Sequence, residues 1–249
     1  MNRTIVISGG GTGIGLAAAE LFAQGGDTPV LIGRRADVLE RAAGKVPGAV
    51  VCAADLAEPA GARRVAAFVE ERFGSVDVVV NSAGGNGLLE PAAGAEGADP
   101  LDVVAHDWAT NFRINVLTAA LLTEALKAQI ADGGSVLFLS SIAAYRGSGS
   151  GAYAAAKAAL HPYAHDLARQ LGPRRITVNL VAPGYTEGTE FFGDGIPEER
   201  RQQRIGETVT GRAGSTADIA ETLRWLASPA AQHVTSQVIQ VNGGAERGR

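Results

Sequence analysis

Tyr153 and Lys157 stand four residues apart in Tyr-Ala-Ala-Ala-Lys, a spacing that puts both side chains on the same face of an α-helix. A free phenol has a pKa of about 10 and is a weak acid–base group near neutrality. An ammonium beside it stabilises the phenolate and lowers the pKa of the tyrosine. With only four tyrosines and three lysines in the chain, chance does not readily explain the pair. The pattern indicates a tyrosine that transfers a proton to or from a substrate oxygen; an interfacial tyrosine and a solvated lysine are the alternative.

Two adjacent serines, Ser140 and Ser141, close an apolar run typical of a buried strand. A hydroxyl at that point could hold a substrate oxygen beside the phenol of Tyr153. Successive strand residues point to opposite faces, so only one serine can reach that oxygen. Residues 145–151 form a Gly/Ser-rich segment that tolerates a change of length more easily than a buried strand tolerates a change of register. Local context therefore selects Ser141.

Carbonyl reduction also needs a hydride donor, and a glycine-rich turn after the first apolar run could bind a nicotinamide dinucleotide. Glycines permit a tight turn and a close approach to a pyrophosphate, and the N-terminus of the following helix offers N–H donors. Because the chain has 33 glycines, an ordinary glycine-rich turn is the alternative. The predicted cofactor residues here are Ser8, Gly9, Gly11, Thr12, Gly13, Ile14 and Gly15.

Arg34 and Arg35 end the second predicted strand, where an NAD-specific site usually has a carboxylate for the ribose 2′-hydroxyl. A guanidinium suits a 2′-phosphate through bidentate, charge-assisted hydrogen bonds. The pattern favours NADP over NAD, with a solvated helix start as the alternative. Asp55 and Leu56, after the third predicted strand, join the predicted cofactor site. The Asp55 carboxylate either accepts from the adenine amino group or caps a helix.

Apolar runs alternate with longer helical patterns along the whole chain. This alternation predicts βαβ units and one domain, a doubly wound Rossmann fold whose seven-stranded parallel sheet is covered by helices on both faces. The predicted strands are Thr4–Ser8, Pro29–Gly33, Ala49–Ala53, Val76–Val80, Ser135–Leu139, Ile176–Val181 and Val238–Val241. The predicted helices are Ile14–Gln24, Asp37–Ala43, Ala60–Phe73, Asp107–Gln129, Tyr153–Leu171 and Ala217–Leu226.

Two segments interrupt this rhythm, and both follow strand ends, where open α/β sheets place their ligand crevice. Residues 84–100 are rich in Gly, Ala and Pro, and residues 184–204 hold aromatic and charged side chains. We interpret both as substrate loops and expect them, with the residues around Arg146, to set substrate choice. Three aromatic residues of the second loop could line an apolar pocket or pack inside a lid: Tyr185, Phe191 and Phe192.

Composition argues against several other functions. The formal net charge of −4 disfavours nucleic-acid binding, which requires a basic face. The single cysteine, Cys52, cannot form an intramolecular disulfide, and no apolar stretch is long enough to span a bilayer. We therefore expect a cytoplasmic protein with no membrane partner. The four histidines have no metal-ligand spacing, so no metal site is predicted.

In their order along the chain, these motifs resemble those of the short-chain dehydrogenase/reductase family. The glycine turn and Tyr153-Ala-Ala-Ala-Lys157 are similar to two of its signatures, and Asn81-Ser82-Ala83-Gly84 resembles its Asn-Asn-Ala-Gly motif. Further positions fall where the family has its other motifs: Asn115, Ser141, Pro183, Gly184, Thr189 and Asn242-Gly243-Gly244. The resemblance extends to the 3-oxoacyl-[acyl-carrier-protein] reductase subgroup, although nothing in the sequence establishes an acyl carrier partner.

The resemblance implies a sheet order of 3-2-1-4-5-6-7 and a catalytic set of Asn115, Ser141, Tyr153 and Lys157. It implies that Asn115 anchors a water molecule in a proton relay to Lys157, and that Lys157 also contacts the cofactor ribose. The family's usual spacing before the tyrosine selects Ser140, in conflict with local context. The remaining implied cofactor residues are Asn81, which ties the central strands together, Ala83 and Gly84, which leave space for the cofactor, and Pro183, Gly184 and Thr189 on the nicotinamide side.

The predicted function is an NADP(H)-dependent oxidoreductase that interconverts a carbonyl and a secondary alcohol, with Tyr153 as general acid and base. The small-molecule substrate is not predicted. A nucleotide-binding sensor without turnover, and an epimerase or dehydratase on the same scaffold, are the alternatives. The resemblance also implies a homotetramer, and the largely apolar circumference of Asp107–Gln129 supports an oligomer.

Overall fold

One parallel sheet of seven strands forms the centre of the computed structural model, which describes residues 2–87, 99–193 and 195–247. The strands lie in the order β3-β2-β1-β4-β5-β6-β7. They are β1 (Thr4–Ser8), β2 (Thr28–Gly33), β3 (Val50–Ala53), β4 (Val76–Asn81), β5 (Ile130–Leu139), β6 (Thr177–Pro183) and β7 (Val238–Val241). This order confirms the predicted doubly wound fold.

Helices cover both faces of the sheet, which accounts for the nearly continuous apolar character of the strands. One face packs against α3 (Pro59–Phe73), α5 (Thr118–Leu126) and α7 (Gly151–Leu171). The other packs against α1 (Gly13–Gln24), α2 (Ala36–Ala43) and α9 (Thr216–Leu226). In β1, Val6 faces the first helical layer while Ile5 and Ile7 face the second, and all three are fully buried. Each such side chain contributes roughly 1.5–3 kcal/mol by leaving water.

Helix α4 (Pro100–Phe112) continues through a π-helical segment (Arg113–Leu117) into α5. The predicted helix Asp107–Gln129 was therefore placed too late at its start. The Asp99 carboxylate accepts from the Leu101 N–H at 2.8 Å, and Pro100 occupies the first turn, where its missing N–H costs nothing. The predicted end at Gln129 is also too late, because α5 ends at Leu126. The next strand, β5, begins at Ile130 rather than at the predicted Ser135.

The second predicted loop, 184–204, is only partly irregular. It contains a 3₁₀ turn (Glu190–Phe192) and most of α8 (Glu198–Gly206), whose first turn carries two glutamates that favour a helix N-terminus. A short helix after β5, α6 (Ala143–Arg146), was also not predicted. Residues 88–98 of the first predicted loop lie outside the described residues. No helix in the described ranges is long and apolar enough to cross a membrane.

Candidate active site

The carboxyl ends of the strands open into a cleft of about 760 Å³. Parallel strands end at the same edge of a sheet, so residues distant in sequence meet there. The predicted site residues that line the cleft are Gly9, Gly11, Thr12, Gly13, Ile14, Arg34, Arg35, Asp55, Leu56, Ala83, Gly84, Ser141, Tyr153, Lys157, Pro183, Gly184 and Thr189. The other predicted residues are buried behind this lining: Ser8, Gly15, Asn81 and Asn115.

The glycine turn between β1 and α1 leaves no room for side chains. Gly9 has a φ of +66°, and a Cβ there would lie 3.0 Å from the Ala83 nitrogen. A Cβ on Gly15 would lie 2.3 Å from the Gly9 carbonyl oxygen. Both positions therefore require glycine, for conformation at Gly9 and for close backbone packing at Gly15. Bare backbone facing a wide cleft at the start of α1 fits the pyrophosphate of a dinucleotide.

Ser8 joins this turn to the segment after β4 instead of facing the cleft. Its buried hydroxyl accepts from the Ser82 and Ala83 N–H groups at 3.0 and 2.9 Å. Asn81, one residue earlier, donates from Nδ2 to the Thr123 hydroxyl at 3.0 Å. The link that Asn81 makes is thus between β4 and α5, whereas the resemblance implied a link between strands.

Two arginines lie at the β2 end of the cleft, as the sequence predicts. Arg34 and Arg35 are exposed and line the cleft, and Arg35 Nη2 lies 2.8 Å from Glu190 Oε2. Asp55 accepts from the Ala57 N–H at 3.0 Å and from Arg113 at 3.0 Å. The helix-capping interpretation of Asp55 is wrong, since the N-cap of α3 is Glu58.

Tyr153 is positioned by the start of α7. The Ser150 side chain caps this helix by accepting from the Tyr153 N–H at 3.3 Å. The phenol side chain is 7% exposed and lines the cleft. Burial raises the pKa of Tyr153 to about 12, while a hydrogen bond from the Ser141 side chain acts in the opposite direction. Tyr153 is therefore a protonated phenol at neutral pH.

Lys157 lies one turn further along α7, on the same side. Its Nζ donates to the Leu139 carbonyl at 2.9 Å and lies 5.9 Å from the centre of the Tyr153 ring. Burial lowers the pKa of Lys157 to about 8. The sequence predicts that Lys157 lowers the pKa of Tyr153, whereas in the structure burial raises it. The loss of solvation around both groups dominates, and the ammonium is engaged by a backbone carbonyl.

Ser140 and Ser141 face different surroundings. The buried Ser140 hydroxyl lies 2.7 Å from His161 Nε2 on α7. The Ser141 hydroxyl accepts from the Ala143 N–H at 3.1 Å, at the start of α6, and lines the cleft beside Tyr153. The serine that adjoins the phenol is the one that local context selects.

Asn115 lies in the π-helical segment, a type of turn often found at functional sites. Its Oδ1 accepts from the Gly85 N–H at 3.1 Å, and its Nδ2 donates to the Gly85 carbonyl at 3.0 Å. A Cβ on Gly84 would lie 2.5 Å from Asn115 Oδ1 and 3.1 Å from Lys157 Nζ. The amide and the ammonium therefore both lie against the backbone of Gly84.

A segment that we call the strap, residues 185–193, follows β6 and crosses the cleft. Thr189 packs over the glycine turn, where a Cβ on Gly13 would lie 3.6 Å from its Cα. Glu190 reaches Arg35, and the ring of Phe191 lies 5.1 Å from that of Tyr153. The strap thus joins the β6 side of the cleft to its β2 side.

Several contacts of the site have no local signal in the sequence. The Asp55–Arg113 and Arg35–Glu190 pairs join residues far apart in the chain. Asn111, which precedes Asn115 by one helical turn, accepts from the Gly87 N–H at 3.2 Å. Only its spacing from Asn115 could have indicated a shared helix face.

Metal binding has no support in the described part of the chain. No group of three or more His, Cys, Asp or Glu residues there could hold an ion. His161 is engaged by Ser140, and His165 by Ser236, so each imidazole has a hydroxyl partner.

Comparison with known proteins places the chain in a family. A family model described as "Enoyl-(Acyl carrier protein) reductase" matches residues 9–246. The chain belongs to the short-chain dehydrogenase/reductase family.

Individual relatives cover almost the whole chain. A short-chain type dehydrogenase/reductase of Sinorhizobium fredii is 33% identical, over 97% of this chain and 96% of the relative. An NADPH-dependent aldehyde reductase-like protein of Arabidopsis thaliana is 32% identical, over 97% of this chain and 93% of the relative. The crystal structure of a short-chain dehydrogenase/reductase (glucose/ribitol dehydrogenase) from Brucella melitensis superposes with a TM-score of 0.85 at 31% identity, over 99% and 98% of the two chains. The chain is thus an oxidoreductase of this family, whose members bind a nicotinamide cofactor.

Proposed function

We propose that the protein is an NADP(H)-dependent oxidoreductase that interconverts a carbonyl and a secondary alcohol, with Tyr153 as the general acid and base. One observation carries the proposal: the Tyr153 phenol, the Ser141 hydroxyl and the Lys157 ammonium lie in the same cleft as the glycine turn. The bound nicotinamide would supply or accept the hydride. The glycine turn, Ala83 and Gly84, and Pro183, Gly184 and Thr189 would hold it.

In the reducing direction, the substrate carbonyl oxygen binds between the Ser141 and Tyr153 hydroxyl groups. Ser141 donates a hydrogen bond that stabilises negative charge as it develops on this oxygen. Tyr153 then gives its proton to the alkoxide. Its raised pKa keeps the phenol protonated at neutral pH, which suits the reducing direction.

Lys157 and Asn115 support this proton transfer. The Lys157 ammonium stabilises the phenolate that remains on Tyr153, through a gap of 5.9 Å to the ring centre. Asn115 and Lys157 both adjoin Gly84, which supports a proton path from solvent through a water held by Asn115. Restoring the proton on Tyr153 completes the cycle.

The arginines after β2 support NADP over NAD. Arg34 and Arg35 line the cleft at the position where an NAD-specific site usually has a carboxylate for the ribose 2′-hydroxyl. The Arabidopsis relative, whose name states NADPH dependence, is consistent with this preference. A nucleotide-binding sensor without turnover is less well supported, since the tyrosine and the lysine are both present and both in the cleft.

A homo-oligomer, a tetramer by family resemblance, is part of the proposal. Helix α4 leaves an apolar stripe in solvent, with Leu101 77%, Val104 52% and Trp108 46% exposed. These residues recur at the three- and four-residue spacing of one helix face. A contiguous apolar stripe of this kind is typical of a symmetric interface between copies.

The test is a set of simple ketones and secondary alcohols, assayed with NADPH and NADP⁺ by the absorbance of reduced nicotinamide. We expect ketone-dependent oxidation of NADPH, lost in Tyr153→Phe. Binding of NADPH without turnover of any ketone or alcohol would instead support the sensor.

A further inference from the structure

The cleft carries more positive charge than its cofactor end accounts for. Seven cationic residues are among the described residues that line it: Arg34, Arg35, Arg113, Arg146, Lys157, Arg200 and Arg204. Three anionic residues accompany them: Asp55, Glu190 and Glu207. The whole chain has a net charge of −4, so the cleft is a cationic region on an acidic protein. Such a cleft concentrates anionic ligands.

The six arginines among these residues form two groups at opposite ends of the cleft, and Lys157 belongs to neither. Arg34 and Arg35 follow β2, and Arg113 pairs with Asp55, which follows β3. Arg146 follows β5 through α6 and donates to the carbonyl of Ala245, which follows β7. In the sheet order, β2 and β7 are five strand spacings apart, or about 24 Å at roughly 4.8 Å a spacing. A phosphate bound after β2 cannot neutralise the second group.

The second group, which we call the far-end cluster, consists of Arg146, Arg200, Arg204 and Glu207. Glu207 Oε2 lies 2.5 Å from Arg146 Nη2 and 3.5 Å from Arg204 Nη1. The side chains of these three residues are 24–29% exposed, so their charges are only partly screened by water. Arg200 is exposed and forms no ion pair with any described residue. The cluster thus contains three guanidiniums and one carboxylate, which pairs with two of them.

Helix α8 directs two of these arginines into the cleft. Arg200 and Arg204 are four residues apart and share a helix face. Arg201, between them, points elsewhere and pairs with Glu187 at 2.6 Å and Glu198 at 3.1 Å. Of these three arginines, Arg201 is paired outside the cleft, whereas Arg200 and Arg204 line it.

An apolar wall of aromatic rings extends from Tyr153 along the strap, in the same cleft as the far-end cluster. The ring of Phe191 is 5.1 Å from that of Tyr153 and 4.9 Å from that of Phe192. Phe192 in turn lies 5.8 Å from Tyr185. A substrate with its oxygen at Tyr153 would thus meet both an apolar surface and the arginines within one cleft.

We propose that the substrate carries an anionic group, a carboxylate or a phosphate, on an apolar body, and that the far-end cluster binds this group while Tyr153 acts on the carbonyl or alcohol. The proposal rests on the oxidoreductase function above and names its substrate class. Arg146 and Arg204 offer planar N–H pairs that match either oxyanion bidentately. Arg200 adds a third cation at the rim.

The first experiment compares matched aryl ketones. The probes are 4-acetylbenzoate and its methyl ester, with 4-acetylphenyl phosphate and 4-methoxyacetophenone as the second pair. We expect kcat/KM with NADPH to favour each anion over its neutral partner by about tenfold to a hundredfold, the value of one or two charge-assisted hydrogen bonds. The pair with the larger ratio distinguishes carboxylate from phosphate. Equal efficiencies within both pairs would overturn the proposal.

Variants of the cluster test the assignment to these residues. Arg146→Gln and Arg200→Gln should each lower the acid-to-ester ratio, and Arg200→Gln changes an exposed side chain, so it leaves folding intact. Glu207→Gln should raise the ratio, because it removes the only carboxylate of the cluster. If the ion pairs of Glu207 had only a structural role, the acid-to-ester ratio would not rise in this variant. Arg224→Gln, which alters an exposed arginine paired with Glu221 on α9, is the matched control and should leave the ratio unchanged.

Calorimetry separates this proposal from the oxidoreductase function. The NADP⁺-loaded Tyr153→Phe protein should still bind 4-acetylbenzoate. Adding the Arg146→Gln substitution to this protein should weaken the binding about tenfold. Binding with that dependence but no turnover in the parent protein would sustain the anion site and refute the proposed reaction. Turnover without discrimination between acid and ester, or binding unaffected by Arg146 and Arg200, would refute the anion site alone.

Discussion

Ser140 and Ser141 are neighbours in the chain, yet their hydroxyl groups contact different residues of α7: that of Ser140 is 2.7 Å from His161, and that of Ser141 adjoins the phenol of Tyr153. Ser141→Ala should therefore lower kcat about a hundredfold, through the loss of a hydrogen bond to the developing oxyanion. Ser140→Ala should lower the melting temperature more than the rate. The reverse ranking in kcat would assign the substrate oxygen to Ser140.

Tyr153→Phe should abolish turnover while leaving the affinity for NADPH nearly intact, because the substitution removes one hydroxyl and keeps the ring beside Phe191. Stopped-flow or steady-state kinetics measure the first effect and fluorescence titration with NADPH the second. Turnover within about tenfold of the parent would mean that another group transfers the proton.

Lys157→Ala, in contrast, should impair both turnover and cofactor affinity.

NADPH should be preferred over NADH in kcat/KM, and Arg34→Asp should reverse or remove that preference, because a carboxylate repels the 2′-phosphate and accepts from a 2′-hydroxyl. Arg35 is the second candidate and is tested by the same substitution. Equal efficiency of the two cofactors in the parent protein would refute the assignment of the arginines.

Glu190→Gln should lower KM for NADPH and leave KM for NADH unchanged, because Glu190 holds the Arg35 guanidinium at 2.8 Å and competes with a phosphate for it. Both side chains are more than half exposed, so the expected change is small, about twofold to fivefold. The shift should shrink as salt concentration rises. An equal change for both cofactors would indicate a general effect of the strap.

Lys157→Met should stabilise the fold at neutral pH while removing activity. Burial lowers the pKa of Lys157 from 10.5 to about 8, so below about pH 8 the buried charge destabilises the folded state in full. As pH rises toward 10.5, the unfolded state alone retains the proton, so the parent gains stability and the advantage of the variant disappears. We expect a gain on the order of 1–3 kcal/mol at pH 7, reduced by loss of the bond to Leu139. Urea unfolding of both proteins at neutral and alkaline pH measures it, and a variant less stable than the parent at pH 7 would contradict it.

Light scattering should give the mass of a tetramer for the parent protein. Trp108→Glu introduces a charge into the exposed stripe of α4 and should yield smaller species. Ala67→Glu, a matched change on the exposed face of α3, should leave the mass unchanged. A monomeric parent at working concentration would show that the stripe is not an interface between copies.

The fold could be predicted because local pattern determines it. A parallel strand buried on both faces, such as β1, must be apolar throughout, and that signal is legible in sequence. The start of α4 was missed since the capping pair Asp99–Pro100 ends a segment rich in Gly, Ala and Pro, which masks the helical period.

The site was predictable where its residues share one element and not where they meet across the fold. Tyr153 and Lys157 are related by a helical turn, and the two serines are adjacent residues that directly follow β5. The pairs Arg35–Glu190 and Asp55–Arg113 join different connections of the sheet, and no local period encodes them. The direction of the Tyr153 pKa shift was not predicted, because the spacing of two residues says nothing about burial, which raises this pKa to about 12.

The π-helical turn fixes the rotational phase of α4 relative to α5. Helix α5 is held to the sheet by the bond between Thr123 and Asn81, so α4 takes its orientation from the number of residues in segment Arg113–Leu117. Because a π turn takes up one residue more than an α-helical turn, α4 and α5 keep nearly the phase of one continuous α-helix. The same extra residue accommodated without a π turn would rotate α4 by about 100° about its axis. That rotation would carry Asn111 away from Gly87 and turn the exposed apolar stripe in another direction. The backbone geometry beside the active site and the direction of the apolar stripe therefore both depend on this one turn.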